Sequence, residues 1–203
     1  MNRLVRQHSR GSLRRSLADY QSDLARGVST LDLNALEQAA RLLLACQARG
    51  GTIFTAGNGG SASTASHLAC DLMKGTRAGG KPTFRVVSLA DNIAQITAWA
   101  NDVSYERVFA EQFLAHARAG DLLIAISASG ASPNVLAVAE AARGVGAATI
   151  AFTGRGGGRL AELADLAVRA SSDQIEVVED LHLVFAHSLC ATTREQLQHP
   201  SDK

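Results

Sequence analysis

The chain has 203 residues, enough for one medium domain with a substantial core. Its 20 Lys and Arg are balanced by 19 Asp and Glu, so it offers no broad polycationic surface for nucleic acid or a membrane, and small polar ligands stay open. Three cysteines (Cys46, Cys70, Cys190) without metal-type spacing suit a reduced cytoplasmic interior, as buried small hydrophobes, better than a secreted disulfide frame.

The Arg-rich start "MNRLVRQHSRGSLRRSL" lacks the apolar stretch of a signal peptide, and no segment reaches the roughly 18 apolar residues of a membrane span. The cytoplasm is therefore the expected location. Two helices are predicted over 11–26 and 32–49; the second spaces Leu33, Leu36, Ala40 and Leu43 or Leu44 at helical intervals and stops at Gly50-Gly51. Short β-rich runs follow at 52–56, 83–89, 121–127, 148–153 and 166–170, separated by Ala-rich helical stretches. A long helix over 174–197, apolar on one side, closes the chain before a frayed "QHPSDK" tail. Near-continuous apolar strands alternating with helices predict an α/β fold: a doubly wound, five-stranded parallel sheet of flavodoxin-like kind, with ligands at the strands' carboxyl ends. The expected organisation is a single domain, residues 51–198, carrying an N-terminal helical extension, 1–50, that takes part in an oligomer interface.

Two loops after strands carry candidate chemistry. The first, Gly57-Asn58-Gly59-Gly60-Ser61, opens a helix whose amino end favours an anion. The third glycine of a dinucleotide fingerprint would fall at Ala62, and no acidic residue ends the second strand, so a dinucleotide is not expected. The second, "AISASGASPNV" (125–135), brings Ser127, Ser129 and Ser132 around one helix start, with Ser132 at the N-cap and Pro133 in the first turn. Three hydroxyls exceed what capping needs. Neither loop holds a Lys, which argues against a nucleoside triphosphate and for a monophosphate held by hydroxyls and backbone amides.

His67 and Asp71, four apart on the helix from Ser61, lie within roughly 40° of each other. On the last helix Glu179 and His187 are eight apart, about 80° offset, and His182 follows Glu179 by three. Two imidazoles and two carboxylates can make a tetrahedral site for zinc or a similar divalent metal; an ion pair at His67 and Asp71 with core or interface histidines is the other reading of the spacing. His182 reads as structural or as a support for a metal ligand.

The strings "GNGGSASTASHLACDL", Asn101-Asp102 in "ITAWANDVSYERVF", "SASGAS", "TGRGGG" and "VEDLHLVFAHSLC" occur in the order found in the phosphoheptose isomerases of the sugar isomerase (SIS) superfamily. The resemblance covers about residues 10 to 195. It implies an aldose–ketose isomerase interconverting sedoheptulose 7-phosphate and D-glycero-D-manno-heptose 7-phosphate, a homotetramer with zinc. By that similarity Asn58, Gly59, Gly60, Ser61, Asn101, Asp102, Ser127, Ala128, Ser129 and Ser132 take substrate-binding positions. His67, Asp71, Glu179 and His187 take metal-binding or catalytic ones, with Asp71, Glu179 and His187 as candidate acid–base groups and both carboxylates also facing substrate.

Three positions depart from the family pattern: Asp71 stands where Glu is usual, Glu179 where Gln is, and Ala128 where Thr is. The shorter Asp71 has less reach as a base, while Glu179 restores a carboxylate on the facing helix. Two other functions are compatible with the motifs: a non-catalytic phosphosugar-binding adaptor, whose close relative lacks an acidic residue where Asp71 stands, and an isomerase of a different sugar phosphate.

Overall fold

The computed structural model describes residues 10–77 and 84–199. Helix α1 (Arg10–Ser29) and helix α2 (Leu33–Ala48) precede β1 (Thr52–Gly57), α3 (Gly60–Cys70), a π-helical turn (Asp71–Gly75), β2 (Arg85–Ser88), α4 (Ile93–Asp102) and a 3₁₀ turn (Tyr105–Arg107). Then come α5 (Val108–His116), β3 (Leu122–Ser127), α6 (Pro133–Val145), β4 (Ala148–Thr153), α7 (Gly158–Leu163), β5 (Leu166–Arg169) and α8 (Ile175–Gln198).

All five strands pair in parallel in the order β2-β1-β3-β4-β5, the doubly wound sheet expected from the apolar runs. Alternate residues of β1, β3 and β4 feed opposite cores. Ile53, Leu122, Ile124, Ile150 and Phe152 pack under α2, α3 and α8 with Leu43, Leu68 and Phe185. Phe54, Leu123 and Ala125 pack under α5, α6 and α7 with Phe113, Val138 and Leu160. Removing one of these large side chains costs about 2–5 kcal/mol, so both layers hold the sheet edge that carries the loops.

Local signals account for some helix ends. Asp32 caps α2 by accepting from the N–H groups of Asn34 and Ala35, both at 3.0 Å. Gly146 ends α6 in the left-handed conformation, φ +75. Some expectations shift. Leu33, placed in the apolar stripe of α2, sits at its first position and is 73% exposed; the buried face is Leu36, Ala39, Ala40, Leu43 and Cys46. The first helix runs three residues past 26, to Ser29. Strand β2 occupies Arg85–Ser88 within the predicted 83–89, and residue 83 and the tail from 200 lie outside the described residues. No helix among the described residues is long and apolar enough to cross a membrane.

Helix α8 links the extension to the site. Tyr20 on α1 donates its hydroxyl to Asp180 on α8 at 2.5 Å, and that bond, with burial and the charges of Asp180 and Glu176, pushes the phenol up to about 12. Glu179, the neighbour of Asp180, is thereby on a helix anchored from outside the sheet as well as from the core.

Candidate active site

The strand order reverses between β1 and β3, where doubly wound sheets leave a crevice at their carboxyl ends. β1 delivers Asn58 to that crevice and β3 delivers the serine loop. In that loop Ser127 Oγ lies 3.1 Å from Ser132 Oγ and 3.4 Å from Ser129 Oγ, and Ser129 Oγ accepts the Ala131 N–H at 3.2 Å. Ser132 holds the N-cap position of α6 as expected, yet its side chain makes no capping bond; the hydroxyl turns to Ser127 instead. Three hydroxyls at one helix start, one of them released from capping, have the chemistry to donate to an anion.

The loop after β4 props the serine loop from behind. Gly130 has φ +63, and a Cβ there would stand 2.0 Å from the carbonyl oxygen of Gly157, so only glycine allows the two loops to touch. Gly154 donates its N–H to the Ala128 carbonyl and Leu160 to that of Gly130, each at 2.9 Å. The "TGRGGG" segment thus acts as a backbone buttress, and Ala128 contributes through its main chain.

At the first loop, a Cβ on Gly60 would lie 2.4 Å from both carboxylate oxygens of Glu179. The carboxylate of α8 therefore rests on the first turn of α3, where the helix's partial positive charge favours it. The anion at this helix start is the protein's own. Ser61, expected to touch substrate, is 5% exposed and sits under Gly57. Asn101 and Asp102 end α4 exposed and bonded to each other, Asn101 Nδ2 donating to Asp102 Oδ1 at 2.8 Å. Asn58 forms a reciprocal amide pair with Asn134 at 2.8 and 2.9 Å and accepts from Tyr105 at 3.1 Å. Neither Asn134 nor Tyr105 was expected; an Asn two residues past a helix N-cap was the available signal.

His67, Asp71 and His187 come together. His187 Nε2 lies 3.1 Å from His67 Nε2 and 3.7 Å from Asp71 Oδ2, and His67 Nε2 lies 3.3 Å from Asp71 Oδ2. A tetrahedrally bound divalent ion with bonds of about 2.0–2.1 Å sets its ligand atoms roughly 3.3 Å apart, so the spacing and the two converging imidazoles suit a metal with an open fourth position. Among the described residues the potential ligand group is these three, within 4.8 Å of one another. Glu179, expected as the fourth ligand, is not in that group and faces Gly60. Asp71 was expected to continue α3; the helix instead ends at Cys70 and Asp71 opens the π-helical turn, keeping its N–H bond to the His67 carbonyl and with it the i,i+4 relation.

Two buried groups near the site stay neutral. Burial, opposed in part by the Thr153 backbone, pulls His182 down to about 4, and its ring packs between Phe152 and Phe185. Burial and then the charge of Asp71 push the Cys190 thiol up to about 12. All three cysteines are free.

A model of the SIS domain matches residues 18–154. Together with the sheet order and the hydroxyl loop at its reversal, this defines an SIS-domain protein. The chain is 42% identical over 158 residues to a phosphoheptose isomerase of Desulfovibrio desulfuricans, covering 78% of this chain and 75% of that one. It is 36% identical over 182 residues to that of Aliarcobacter butzleri, covering 89% and 94%. A solved phosphoheptose isomerase from Neisseria gonorrhoeae superposes with a TM-score of 0.83 at 30% identity, covering 89% of this chain and 98% of that one. The chain belongs to the phosphoheptose isomerase family.

Proposed function

We propose that the protein interconverts sedoheptulose 7-phosphate and D-glycero-D-manno-heptose 7-phosphate by aldose–ketose isomerisation. The observation that carries this reading is the convergence of His67, Asp71 and His187 on one point, in a chain that also gathers the hydroxyls of Ser127, Ser129 and Ser132 in one loop. A reacting carbonyl and a distant phosphate need two such centres. Relatives named phosphoheptose isomerase, 42% and 36% identical to the chain, support it.

The serine loop binds the phosphate, and that binding energy orients the sugar's other end. His67, Asp71 and His187 hold a zinc ion. When bound, it supplies Lewis-acid polarisation of the carbonyl and stabilises the developing oxyanion. Isomerisation moves a proton between neighbouring carbons through an enediolate. Asp71, close to both imidazoles, serves the metal; Glu179, outside the ligand group, is the free carboxylate and takes the proton from C1 of the ketose and returns it to C2. In the reverse direction the same group takes the proton from C2.

Turnover in D₂O tests the reading. NMR of sedoheptulose 7-phosphate incubated with the protein is expected to reveal the aldose, with deuterium at C2 in the fraction of turnovers in which the carried proton exchanges with solvent before its return. Unchanged ketose contradicts it.

The protein assembles as a homotetramer through its helices, with residues 1–50 in the contact. Helix α4, "IAQITAWAND", has no buried residue, and Ile93 on it is 73% exposed. On α1, Leu13 and Leu17 are 56% and 66% exposed, which also favours burial against another chain. Three free thiols fit a reducing cytoplasm.

A further inference from the structure

We infer that Asn134, with Tyr105, is a positioning residue that sets the span between the sugar-facing and the phosphate-facing loops. This rests on the isomerase reading for its substrate and on the fold for its geometry. Asn58 follows β1, and Asn134 is the second residue of α6, two positions after Ser132. β1 and β3 are paired neighbours, so the two loops leave adjacent strands at the point where the order reverses. Nothing in that strand pairing fixes how far apart the loops stand beyond Gly57 and Ser127.

The carboxamides supply that constraint. Asn58 Nδ2 donates to Asn134 Oδ1 at 2.8 Å, and Asn134 Nδ2 donates to Asn58 Oδ1 at 2.9 Å. Tyr105, three residues beyond the end of α4 and its Asn101-Asp102 pair, donates its hydroxyl to the same Asn58 Oδ1 at 3.1 Å. Three segments expected to meet substrate are thus tied at one side chain. Asn134 is 2% exposed, so it does not itself meet a ligand, and a buried amide in a closed pair is held strongly in orientation.

The pair also dictates what Asn58 can offer. Both acceptor sites of its oxygen are engaged, and one of its two amide hydrogens is used, which leaves a single N–H. Asn58 therefore presents a lone donor of fixed direction, suited to an oxygen acceptor on the sugar such as a carbonyl or hydroxyl oxygen. Without Asn134 the amide rotates freely and the two loops lose their shared reference.

The test measures KM and kcat with sedoheptulose 7-phosphate, inorganic phosphate affinity by calorimetry, and metal content, for Asn134→Ala, Asn134→Asp and Tyr105→Phe. Asn134→Ala is expected to raise KM and weaken phosphate binding about tenfold, with kcat changed by less than about threefold and metal content unchanged. Asn134→Asp keeps the bond from Asn58 Nδ2 and is expected to recover part of the loss. Tyr105→Phe, at a position 58% exposed, is expected to raise KM about threefold. Unchanged KM and phosphate affinity in Asn134→Ala overturn the inference, as does a fall in kcat and stability alone. Should Asn134→Ala fail to fold, unchanged KM and phosphate affinity in Tyr105→Phe overturn it. A wild-type protein that binds phosphate through this pair but never converts the heptose phosphate defeats the isomerase reading and leaves the positioning role standing.

Discussion

His187 Nε2 lies 3.1 Å from His67 Nε2, although 120 residues separate them and each belongs to a different helix. Two ring nitrogens facing each other this closely satisfy one hydrogen bond at most, whereas a cation between them uses both lone pairs. The half-open setting, with side chains 48% and 53% exposed, leaves room for a ligand to reach that point.

Replacing either imidazole should release the metal. Loss of a group that merely supports a ligand typically weakens affinity 10–100-fold, so His67→Ala and His187→Ala are expected to exceed about 100-fold. Titration with zinc by calorimetry checks this. Both side chains are substantially exposed, so melting of the metal-free variants should match that of the metal-free wild type.

Asp71 and Glu179 should separate by role. Asp71→Asn is expected to lose metal and activity together. Glu179→Gln should retain metal and lower kcat by roughly 10²–10⁴-fold. Gly60→Ala offers a second route to the same result, because its new Cβ would meet the Glu179 carboxylate at 2.4 Å and push it aside. Kinetics paired with metal analysis decide this assignment; Glu179→Gln with full activity rules out Glu179 as the base.

Ser132→Ala should behave unlike the loss of an ordinary helix cap. Such a loss costs about 1 kcal/mol, but the Ser132 hydroxyl makes no capping bond here. The expected outcome is a melting temperature near that of the wild type with KM raised about tenfold, read by thermal unfolding and steady-state kinetics.

Stability should fall in mild acid through His182. Its folded pKa, about 4, is below the ordinary 6.5 because of burial. Above pH 6.5 the ring is neutral in both states and pH has no effect through it. Between pH 6.5 and 4 the unfolded chain takes up a proton that the folded chain refuses, so stability drops with falling pH and levels off below 4. The loss from pH 7 to pH 5 is about 2 kcal/mol. Urea unfolding at both pH values, compared with His182→Leu, measures it: the variant should lose distinctly less.

The sheet was legible because fully buried parallel strands need unbroken apolar runs, and those of β1, β3 and β4 are visible as such. His67 and Asp71 were legible because the i,i+4 relation survives the change from α to π geometry at residue 71. What crosses between elements was not. Helical periodicity puts Glu179 and His187 on related faces, but only the approach of α8 to α3 decides that Glu179 stops at Gly60 while His187 reaches His67. The Asn58–Asn134 pair is equally hidden, since its members are 76 positions apart and neither is unusual in its local context. Ser132 is legible as a helix start, whereas its hydroxyl's turn toward Ser127 is not.

The most direct test is turnover of sedoheptulose 7-phosphate by the purified protein before chelation, after chelation and after zinc is restored. Interconversion with the aldose that stops on chelation and returns with zinc is the predicted result. No interconversion at saturating substrate in the zinc-supplied protein, or a rate indifferent to chelation in protein shown to be metal-free, contradicts the account.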